Sequence, residues 1–446
     1  MSARAIVLAA GKGTRMKSRL PKVLHELCGR PMLWWVLEAL RSAGIGDVVV
    51  VTNPELDPHV TALGVRTVIQ AEQLGTGHAV KIALDAIDPG DGCMVVAYGD
   101  MPLAGAAIFE DVQAAIDPDA GTALALVTAV MPLPSAFGRI VRNANAVERI
   151  VEAKDCTRDQ LDIAEMNAGI YAYDERALRA AVAQVGNDNA QREYYLTDTV
   201  ELLLAAGRRV APVLVDDYRS VLGVNDRVEL AAANAILNRR LCEAHMRAGV
   251  SIADPATTHL VPGLEIAADV TILQNTMIYG VTRIGAGTTI GPNCRIGDAV
   301  IGERCAIRES VVTSTRIGAD VRIGPFAHLR DGNVIGDRVR IGNFVEFKNS
   351  GIGDDVKANH LAYIGDATVG DRTNYGAGAI TCNYDGTKKN RTEIGADVFV
   401  GTNNSLVAPI TLGDGAMTAA GAVVIRDVPA GDKVAGVPAK SIAKKP

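Results

Sequence analysis

The chain has 446 residues, of which 48% are hydrophobic and only 4% aromatic, and its formal net charge is −6. This length exceeds what one ordinary hydrophobic core organises and favours two or three domains. Acidic and basic residues are mixed without a long basic run, and aromatic side chains are few. The composition therefore argues against a nucleic-acid partner.

The N-terminus and the cysteines indicate the cellular compartment. The first residues lack the pattern of a signal peptide, and no run reaches the ~18 apolar residues that a membrane span needs. The seven cysteines are odd in number and form no CxxC pair, which favours reduced thiols and argues against a cysteine metal site. We therefore expect a cytoplasmic protein without a membrane partner.

The first half of the chain alternates apolar runs with helical stretches. Apolar runs occupy 5–8, 48–51 and 93–98, and helical stretches at 31–43 and 77–86 precede the second and third of them. Buried strands separated by helices predict an α/β domain with a mostly parallel sheet.

A single amphipathic helix is predicted next. Its apolar stripe, at spacings of three and four, consists of Leu230, Ala233, Leu237, Leu241 and Ala244. Asp226 and Glu229 have the pattern of a capping pair, and Gly249 has that of a helix stop. We expect this helix to link two domains.

The second half of the chain is a repeat. Ile-Gly pairs begin at 284, 290, 296, 301, 317, 323, 335, 341, 352, 364 and 394, and Val-Gly or Leu-Gly pairs begin at 369, 400 and 412. Spacings of six are typical of the hexapeptide repeat of a parallel β-helix, in which each aliphatic residue points into the coil. The following Gly, Asp and Asn residues tolerate the backbone angles of a corner. The segment 376–392 interrupts the period and is predicted to contain an inserted loop.

A Gly-rich loop follows the first predicted strand. LAAGKGTRM, over 8–16, matches neither the Walker pattern nor GxGxxG. Gly11 and Gly13 would let backbone N–H groups approach phosphates, and Lys12, Arg15 and Lys22 add positive charge. An ordinary glycine turn with solvated cations accounts for the same residues.

Two polar residues suit a metal site. Asp100 ends the third apolar run, and carboxylates at the C-terminal ends of parallel strands lie where open sheets bind ligands. A carboxylate there suits Mg²⁺ holding a triphosphate, although a turn or helix-capping aspartate is the alternative. Asn225, within GVNDR, has the pattern of a helix N-cap.

Several motifs carry a family resemblance. LAAGKGTRM, LPKVLH (20–25), QAEQLGTGHA (70–79), YGDMPL (98–103) and EYYLTD (193–198) resemble those of the sugar-phosphate nucleotidylyltransferases. Together with the hexapeptide repeat and TCNYDG (381–386), they are similar to one bacterial family within that group. Its members are bifunctional N-acetylglucosamine-1-phosphate uridylyltransferase/glucosamine-1-phosphate N-acetyltransferases. The resemblance covers essentially the whole chain.

The resemblance implies an architecture and a function. It implies a Rossmann-like α/β uridylyltransferase domain (1–225), a linker helix (226–249) and a left-handed parallel β-helix acetyltransferase domain (250–446). The chain would acetylate glucosamine-1-phosphate with acetyl-CoA and then transfer UMP from UTP to N-acetylglucosamine-1-phosphate, releasing pyrophosphate. Mg²⁺ would be the cofactor, and the β-helix would assemble a homotrimer. The product would supply cell-wall and lipopolysaccharide synthesis.

The resemblance also assigns residues at the nucleotide end. UTP and UDP-N-acetylglucosamine would contact Leu8, Ala9, Ala10, Gly11, Lys22, Gln70, Gly75, Thr76, Tyr98, Gly99, Asp100, Gly138, Glu152, Asn167 and Asn225. Asp100 and Asn225 would hold Mg²⁺. Lys22 and Arg15 would be catalytic by offsetting charge, because a sugar phosphate with its second pKa near ~6 is already mostly dianionic and needs no general base.

Two histidines lie within the repeats, His328 and His360. Zinc-binding β-helix enzymes need three histidines with two close together, a pattern these two do not form, and a structural histidine is the plain alternative. KANHLAYIGD, over 357–366, resembles the acetyltransferase signature. The resemblance implies that His360 is the general base that deprotonates the sugar amine, and that Glu346 orients it.

The resemblance implies two further sets of residues. Glucosamine-1-phosphate would bind Arg330, Lys348, Tyr363 and Asn374. Acetyl-CoA would bind Ala377, Asn383, Tyr384, Thr402, Ala420 and Lys440. Thr402 replaces a frequent serine and keeps the hydroxyl, whereas the basic position of the family falls on Gly436, for which Lys440 is the expected substitute.

Two other protein classes share parts of this pattern. One is a single-activity nucleotidylyltransferase whose β-helix only oligomerises or regulates, as in the ADP-glucose pyrophosphorylase type. The other is a non-catalytic assembly protein, like the nucleotidylyltransferase-like subunits of translation factors. His360 in its motif and the TCNYDG loop argue against the first, and the presence of Lys22, Asp100 and Asn225 argues against the second.

Overall fold

The computed structural model describes residues 3–442, so the last four residues of the predicted domain 250–446 lie outside the described residues. The chain divides into two compact units, Met1–Ile236 and Leu237–Pro446. The boundary between them falls inside one helix. Within residues 3–442 no helix is both long and apolar enough to cross a membrane.

The first unit is α/β. Its strands are β1 (Ala3–Leu8), β2 (Glu26–Leu27), β3 (Arg30–Pro31), β4 (Asp47–Thr52), β5 (Arg66–Ile69), β6 (Cys93–Tyr98), β7 (Thr122–Val130), β8 (Arg139–Asn143), β9 (Ala146–Val151), β10 (Glu165–Asp174) and β11 (Arg209–Val215). The helices are α1 (Met32–Ser42), α2 (Asp57–Thr61), α3 (Thr76–Asp85), α4 (Ala106–Ala114), α5 (Arg158–Leu161), α6 (Glu175–Val182), α7 (Thr199–Ala205) and α8 (Arg227–Arg247). Short 3₁₀ helices occupy Thr14–Met16, Lys22–Leu24, Leu196–Asp198 and Tyr218–Val221.

The main sheet has the order β11-β7-β10-β6-β1-β4-β5, and β8 and β9 form a hairpin beside β10. The pairings β1–β4, β1–β6, β4–β5 and β7–β11 are parallel, whereas β10 runs antiparallel to its neighbours β6 and β7. The predicted mostly parallel sheet is confirmed, and the three predicted apolar runs lie in β1, β4 and β6. Leu8 pairs with Tyr98, so the Gly-rich loop and the segment after β6 leave the sheet side by side.

Helix α8 has the predicted cap. The Asp226 carboxylate accepts from the N–H of Glu229 (2.9 Å), and the Glu229 carboxylate accepts from the N–H of Asn225 (2.6 Å). The helix ends shortly before Gly249, which has a φ of +96°. The predicted apolar stripe is wrong at Ala244, which is exposed.

The second unit is a left-handed parallel β-helix with three faces. Face one consists of Ser251–Ile252, Thr271–Ile272, Thr289–Ile290, Ala306–Ile307, Arg322–Ile323, Arg340–Asn343, Lys357–His360, Asn374–Tyr375, Phe399–Val400, Met417–Thr418, Lys433–Ala435 and the antiparallel Lys440–Ser441. Face two consists of His259–Leu260, Met277–Tyr279, Arg295–Gly297, Val311–Thr313, His328–Arg330, Glu346–Lys348, Tyr363–Gly365, Ile380–Cys382, Ser405–Val407 and Val423–Val424. Face three consists of Glu265–Ile266, Arg283–Ile284, Val300–Ile301, Arg316–Ile317, Val334–Ile335, Gly351–Ile352, Ala367–Val369, Thr392–Ile394 and Ile410–Leu412.

The repeat residues form the core of the β-helix, as predicted. The aliphatic residues of all the repeat pairs are buried, and none is more than 4% exposed. Successive coils stack these side chains in register, so one continuous apolar column runs through the unit and supplies its stability.

The corner between faces one and two carries bulky side chains. Phe326, Phe344 and Leu361 occupy it on successive coils with φ of 59°, 57° and 48°, a left-handed conformation that is unusual for such residues. The two phenylalanine rings stack with centroids 5.3 Å apart. The three side chains are 55%, 55% and 62% exposed, and we call them the apolar corner.

Candidate active sites

A cleft of about 210 Å³ opens at the C-terminal edge of the sheet in the first unit. The predicted residues that line it are Leu8, Ala9, Ala10, Gly11, Lys22, Gln70, Gly75, Thr76, Tyr98 and Asp100. Gly99 lies just beneath, where a Cβ atom would be 3.3 Å from that of Ala9. Four separate sequence motifs therefore meet in one cavity, and three of them follow β1, β5 and β6, whose C-terminal ends lie at the same edge of the sheet.

Lys22 is the cation at the centre of this cleft. Its ammonium group forms an ion pair with the Asp100 carboxylate and donates to the Asn225 side-chain oxygen at 3.2 Å. Gly13 makes this approach possible, because a Cβ there would be 2.6 Å from the Cβ of Lys22. The two predicted metal ligands thus converge on one positive charge.

The backbone fixes the relative position of Asp100 and Asn225. The N–H of Val224 donates to the carbonyl of Asp100 at 2.9 Å, which anchors the segment before α8 to the end of β6. A carboxylate and an amide oxygen that already share a cation are hard oxygen donors, and such donors fit Mg²⁺.

The loop around Gly75 is closed by the EYYLTD segment. Gly75 has a φ of +113°, and a Cβ there would lie 2.5 Å from the carbonyl oxygen of Tyr194. The N–H of Gly77 donates to that same carbonyl (2.7 Å), and the Thr76 hydroxyl accepts from the N–H of Leu196 (3.0 Å). Only glycine fits at position 75, and its backbone is presented to the cleft.

A second group of predicted residues gathers at Gly138. Its carbonyl accepts from the N–H of Asn167 at 2.8 Å, and a Cβ on Gly138 would be 3.5 Å from the Glu152 carboxylate. The Thr197 hydroxyl donates to Glu152 at 3.2 Å, and the Asn167 amide donates to the Tyr171 hydroxyl at 2.6 Å. Burial raises the pKa of Glu152, with neighbouring carboxylates adding to the effect.

Arg139 supports this group from behind. The residue is 1% exposed, and its guanidinium donates to the backbone carbonyls of Phe137 and Ser135, the latter at 2.8 Å. A buried cation bound to carbonyls fixes the loop that leads into Gly138.

Tyr98 lies between the cleft and the Gly138 group. Its ring packs on Gly169, whose φ is +79° and where a Cβ would be only 2.5 Å from the ring. Burial raises the pKa of Tyr98 above its ordinary value, and the negative charges of Glu152 and Asp100 raise this pKa as well. The phenol therefore stays neutral and can donate a hydrogen bond.

Arg15 is exposed in the 3₁₀ turn after the Gly-rich loop, as is Lys12 in the loop itself. Neither belongs to the residues that line the cleft. The structure therefore brings Lys22, but not Arg15, to the lining of the cleft.

In the second unit His360 lies at the end of its face-one strand. Its Nδ1–H donates to the side-chain oxygen of Asn343 at 2.9 Å, one coil away. This contact leaves Nε2 as the basic nitrogen. Within residues 3–442 the hydrogen-bond partner of the His360 imidazole is thus Asn343, whereas Glu346 lies on face two and binds Arg330 at 2.6 Å. The role of Glu346 toward His360 stays a prediction.

The predicted sugar-phosphate residues lie mainly on face two. Arg330 is in register with Lys348, and Glu346 with Tyr363. Asn374 is on face one, half-buried and in register with Lys357. His360 and the cations therefore occupy adjacent faces of the same prism.

Asp366 organises the inserted loop. It is 6% exposed and accepts from the Asn349 amide (2.7 Å) and the Asn383 amide (2.6 Å). The loop also brings Lys389 to Lys348, whose ammonium group lowers the pKa of Lys389. Two neighbouring cations beside Arg330 form a site for an anion.

The predicted acetyl-CoA residues follow one corner of the β-helix. The carbonyl of Ala377 accepts from the N–H of Asn403, and that of Thr402 accepts from the N–H of Gly421, each at 2.8 Å. The row of Ala377, Thr402 and Ala420 therefore continues along the coils after His360. Tyr384 is 62% exposed in the inserted loop, and Lys440 is exposed in the last strand.

Sequence reasoning missed Asn343, Lys389 and His78. Asn343 could have been found from its distance of 17 positions from His360, since the same spacing recurs between stacked coils. Lys389 lies in an insertion that has no periodic signal. His78 is half-buried on α3, where its Nδ1 atom lies 3.1 Å from the Gln70 amide nitrogen.

Comparisons with known proteins agree with this division. Residues 5–155 match the family model of the MobA-like NTP transferase domain, and residues 314–349 match that of the bacterial transferase hexapeptide. A bifunctional protein GlmU from Halalkalibacterium halodurans is 45% identical over 428 residues, which cover 95% of this chain and 94% of that protein. One from Streptomyces avermitilis is 42% identical and covers 96% and 90%, respectively.

The chain belongs to the GlmU family of bifunctional proteins. It is a bifunctional enzyme with an N-terminal nucleotidyltransferase domain and a C-terminal hexapeptide acetyltransferase domain, which confirms the predicted function. Membership in the GlmU family also decides against the single-activity and the non-catalytic alternatives. A putative glucose-1-phosphate thymidylyltransferase from Bacillus anthracis, whose structure is solved, covers 52% of this chain at 19% identity with a TM-score of 0.41, a likeness too weak to argue from.

Proposed function

We propose that the cleft of the first unit binds UTP and N-acetylglucosamine-1-phosphate, and that the second unit acetylates glucosamine-1-phosphate with acetyl-CoA. The observation that carries the first assignment is the contact of the Lys22 ammonium group with the Asp100 carboxylate and the Asn225 amide oxygen at the edge of the sheet. The observation that carries the second is a histidine whose Nε2 is the basic nitrogen, on the face of the β-helix adjacent to the one that carries a cluster of cations. The acetylated product of the second unit is the substrate of the first.

Uridylyl transfer needs positioning and charge compensation from the chain. The sugar phosphate attacks the α-phosphorus of UTP, the bond to the leaving pyrophosphate breaks, and no proton has to be removed from the dianionic nucleophile. Lys22 offsets charge on the phosphates, and Gly11 and Gly75 offer backbone groups at close range. Gly138, Glu152 and Asn167 hold the acetylated sugar by hydrogen bonds.

Asp100 and Asn225 are the proposed ligands of Mg²⁺. They fit because both oxygens already share the Lys22 ammonium group as a cation. Bound Mg²⁺ would supply electrostatic stabilisation of the phosphates. Lys22 must then release both oxygens and turn to the phosphates, since two cations repel each other at such short range.

Acetyl transfer needs a general base. Nε2 of His360 accepts a proton from the sugar ammonium, and the free amine attacks the thioester carbonyl. The C–S bond then breaks, CoA leaves as a thiol, and an amide forms. The Asn343 oxygen keeps the proton on Nδ1, so Asn343 orients the imidazole. Arg330, Lys348 and Lys389 would bind the sugar phosphate.

We also propose a homotrimer. The base lies on face one, whereas the cations lie on face two, and the two faces of one prism point in different directions. Packing face one of one copy against face two of the next brings the two sets together, and repeating this contact closes a ring. The apolar corner lies where the two faces meet and would be covered by such packing.

Domain limits of 1–225, 226–249 and 250–446 remain our proposal for the organisation of the chain. Asn234 of α8 accepts from the N–H of Cys28 in the first unit (2.8 Å), and Asn238 donates to the carbonyl of Thr258 in the second (2.8 Å). Both contacts favour a helix that belongs to the two units in succession. A cytoplasmic location follows from the nature of the substrates.

A chromatographic product assay tests both sites. The full-length enzyme is given glucosamine-1-phosphate, acetyl-CoA, UTP and Mg²⁺, and is compared with the variants His360→Ala and Asn343→Ala. We expect His360→Ala to form UDP-N-acetylglucosamine only from N-acetylglucosamine-1-phosphate, and Asn343→Ala to lose part of the acetyl transfer. Normal acetylation by His360→Ala would refute the acetyl site.

A further inference from the structure

The Gln70 side chain has a fixed orientation in the nucleotide cleft. Gln70 is 3% exposed as a residue, and its Nε2 atom lies 3.2 Å from the carbonyl oxygen of Gly75 and 3.1 Å from Nδ1 of His78. A carbonyl oxygen can only accept, so the NH₂ group, and not the oxygen, must face Gly75. The second N–H then donates to His78, whose Nδ1 acts as the acceptor.

The other end of this amide is unused. Within the described part of the chain, Oε1 of Gln70 accepts no hydrogen bond, yet it is not among the polar atoms that are buried without a partner. Oε1 is therefore accessible, and Gln70 lines the cleft. The Gln70 side chain therefore presents a hydrogen-bond acceptor to the cleft, while both of its donors are already engaged.

An acceptor at this point distinguishes two pyrimidines. Uracil carries N3–H, a donor, where cytosine carries an unprotonated N3, an acceptor. Oε1 can bind the first and repels the second, and a site built around one hydrogen bond rejects an analogue that leaves its polar group unpaired. The selectivity depends on the amide not rotating by half a turn, because rotation would present NH₂ to the base.

We propose that His78 is a positioning residue that holds the Gln70 amide in the orientation selective for uracil over cytosine. The proposal rests on the proposed placement of the uracil edge at Gln70. His78 lies on helix α3, which sets its position. The centroid of the His78 ring is 6.3 Å from that of Tyr194, a residue of the segment that closes the Gly75 loop. His78 therefore contacts both the Gln70 amide, which would bind the nucleobase, and the segment that closes the Gly75 loop.

The test compares UTP with CTP as substrates of the full-length enzyme. His78→Phe keeps an aromatic ring but removes the acceptor, and His78→Asn restores an acceptor near the position of Nδ1. We expect His78→Phe to lower the ratio of kcat/KM for UTP over CTP about three- to tenfold, the effect of one hydrogen bond, and His78→Asn to recover most of it. Thermal unfolding of the same preparations, compared with the wild type, reports whether the first unit of each variant is folded.

A second variant separates this proposal from the site on which it rests. Gln70→Met removes the amide itself and should abolish most of the selectivity. If Gln70→Met does so while His78→Phe keeps the ratio of the wild type, His78 has no positioning role and the base site stands. If Gln70→Met leaves the ratio unchanged, the uracil edge does not lie at Gln70. Calorimetric dissociation constants for UTP and CTP give the same ratio for any variant too slow to assay.

Discussion

At the scale of single residues, the charge at the centre of the nucleotide cleft is compensated within the chain. Lys22 holds the Asp100 carboxylate and the Asn225 oxygen, which are also the proposed metal ligands. A divalent cation bound to these oxygens would have to displace the ammonium group, because two cations repel each other at such short range. The geometry therefore implies that Lys22 competes with a divalent cation for the same two side chains.

Replacing Lys22 should accordingly tighten metal binding in the absence of nucleotide. We expect Lys22→Met to bind Mn²⁺, a spectroscopic substitute for Mg²⁺, at least tenfold more tightly than the wild type in electron paramagnetic resonance titrations. The reason is the loss of a competing positive charge. The double variant Lys22→Met/Asp100→Asn is the control and should bind weakly. Equal affinity of Lys22→Met and wild type would contradict the competition.

Asp198 gives the first unit a specific dependence on pH. Burial, with the nearby Glu201 and Asp155 carboxylates, raises its pKa from 3.8 to about 6. Between pH 3.8 and about 6 the folded state therefore binds a proton at Asp198 that the unfolded state has released. The free energy of unfolding consequently falls as the pH rises through about 6. Above that pH a charged carboxylate is held in an unfavourable environment.

Asp198→Asn should remove this destabilisation. Because the amide stays neutral, we expect the variant to melt about 2–4 °C above the wild type at pH 7.5, the shift that about 1 kcal/mol produces in a unit of this size. Near pH 4 the difference should vanish. Differential scanning fluorimetry across this range checks the prediction, and a difference independent of pH would show that the effect is not the titration of Asp198.

At the scale of elements, the stacking of coils determines the acetyl site. Gly342 precedes Asn343, and a Cβ on it would lie 1.9 Å from the carbonyl oxygen of Asn359, the neighbour of His360. The two coils can approach this closely only because position 342 has no side chain. The contact between Asn343 and His360 depends on that approach.

Gly342→Ala should therefore impair acetyl transfer selectively. Forcing the two coils apart moves the base and its orienting amide, and a displacement of about 1 Å costs on the order of 100-fold in rate. Uridylyl transfer should be unchanged. Gly351→Ala is the matched control, since nothing lies within 4 Å of a Cβ there. Equal loss in both variants would point to general destabilisation of the β-helix.

The elements were predictable where a period or a long apolar run determines them. The hexapeptide repeat placed Ile341 and its counterparts in the core, and the run at 93–98 became β6 without a shift. The contacts that refine the sites were not predictable in this way. Asn343 becomes relevant only when coils stack, and Lys389 only when the loop folds back on Asp366. The orientation of the Gln70 amide depends on the Gly75 carbonyl and on His78, which meet it only in the folded cleft.

At the scale of the whole molecule, two reactions share one chain but use separate compact units. The nucleotide cleft lies within Met1–Ile236, and its predicted residues come from that unit alone. The acetyl site, in contrast, has its base and its cations on two different faces of one β-helix. We therefore expect the first reaction to be complete within a single copy and the second to need association.

Disrupting the association should separate the two activities. In the double variant Phe326→Asp/Phe344→Asp, negative charge at the apolar corner opposes burial of that corner between copies. Light scattering should show a decrease from three times the mass of the chain to a single copy. Acetyl transfer should fall at least tenfold, whereas uridylyl transfer should stay within twofold of the wild type. Retention of both the trimer and acetyl transfer would refute the proposed packing.

The exposure of the apolar corner in a single copy makes the association of copies depend on protein concentration. A chain whose Phe326, Phe344 and Leu361 remain in water loses the stabilisation that burial between copies would supply, so association and activity are linked to concentration. Acetyl transfer per molecule should decline on dilution, while uridylyl transfer per molecule should not. The amount of enzyme in a cell would then set the ratio of its two activities, without any effector.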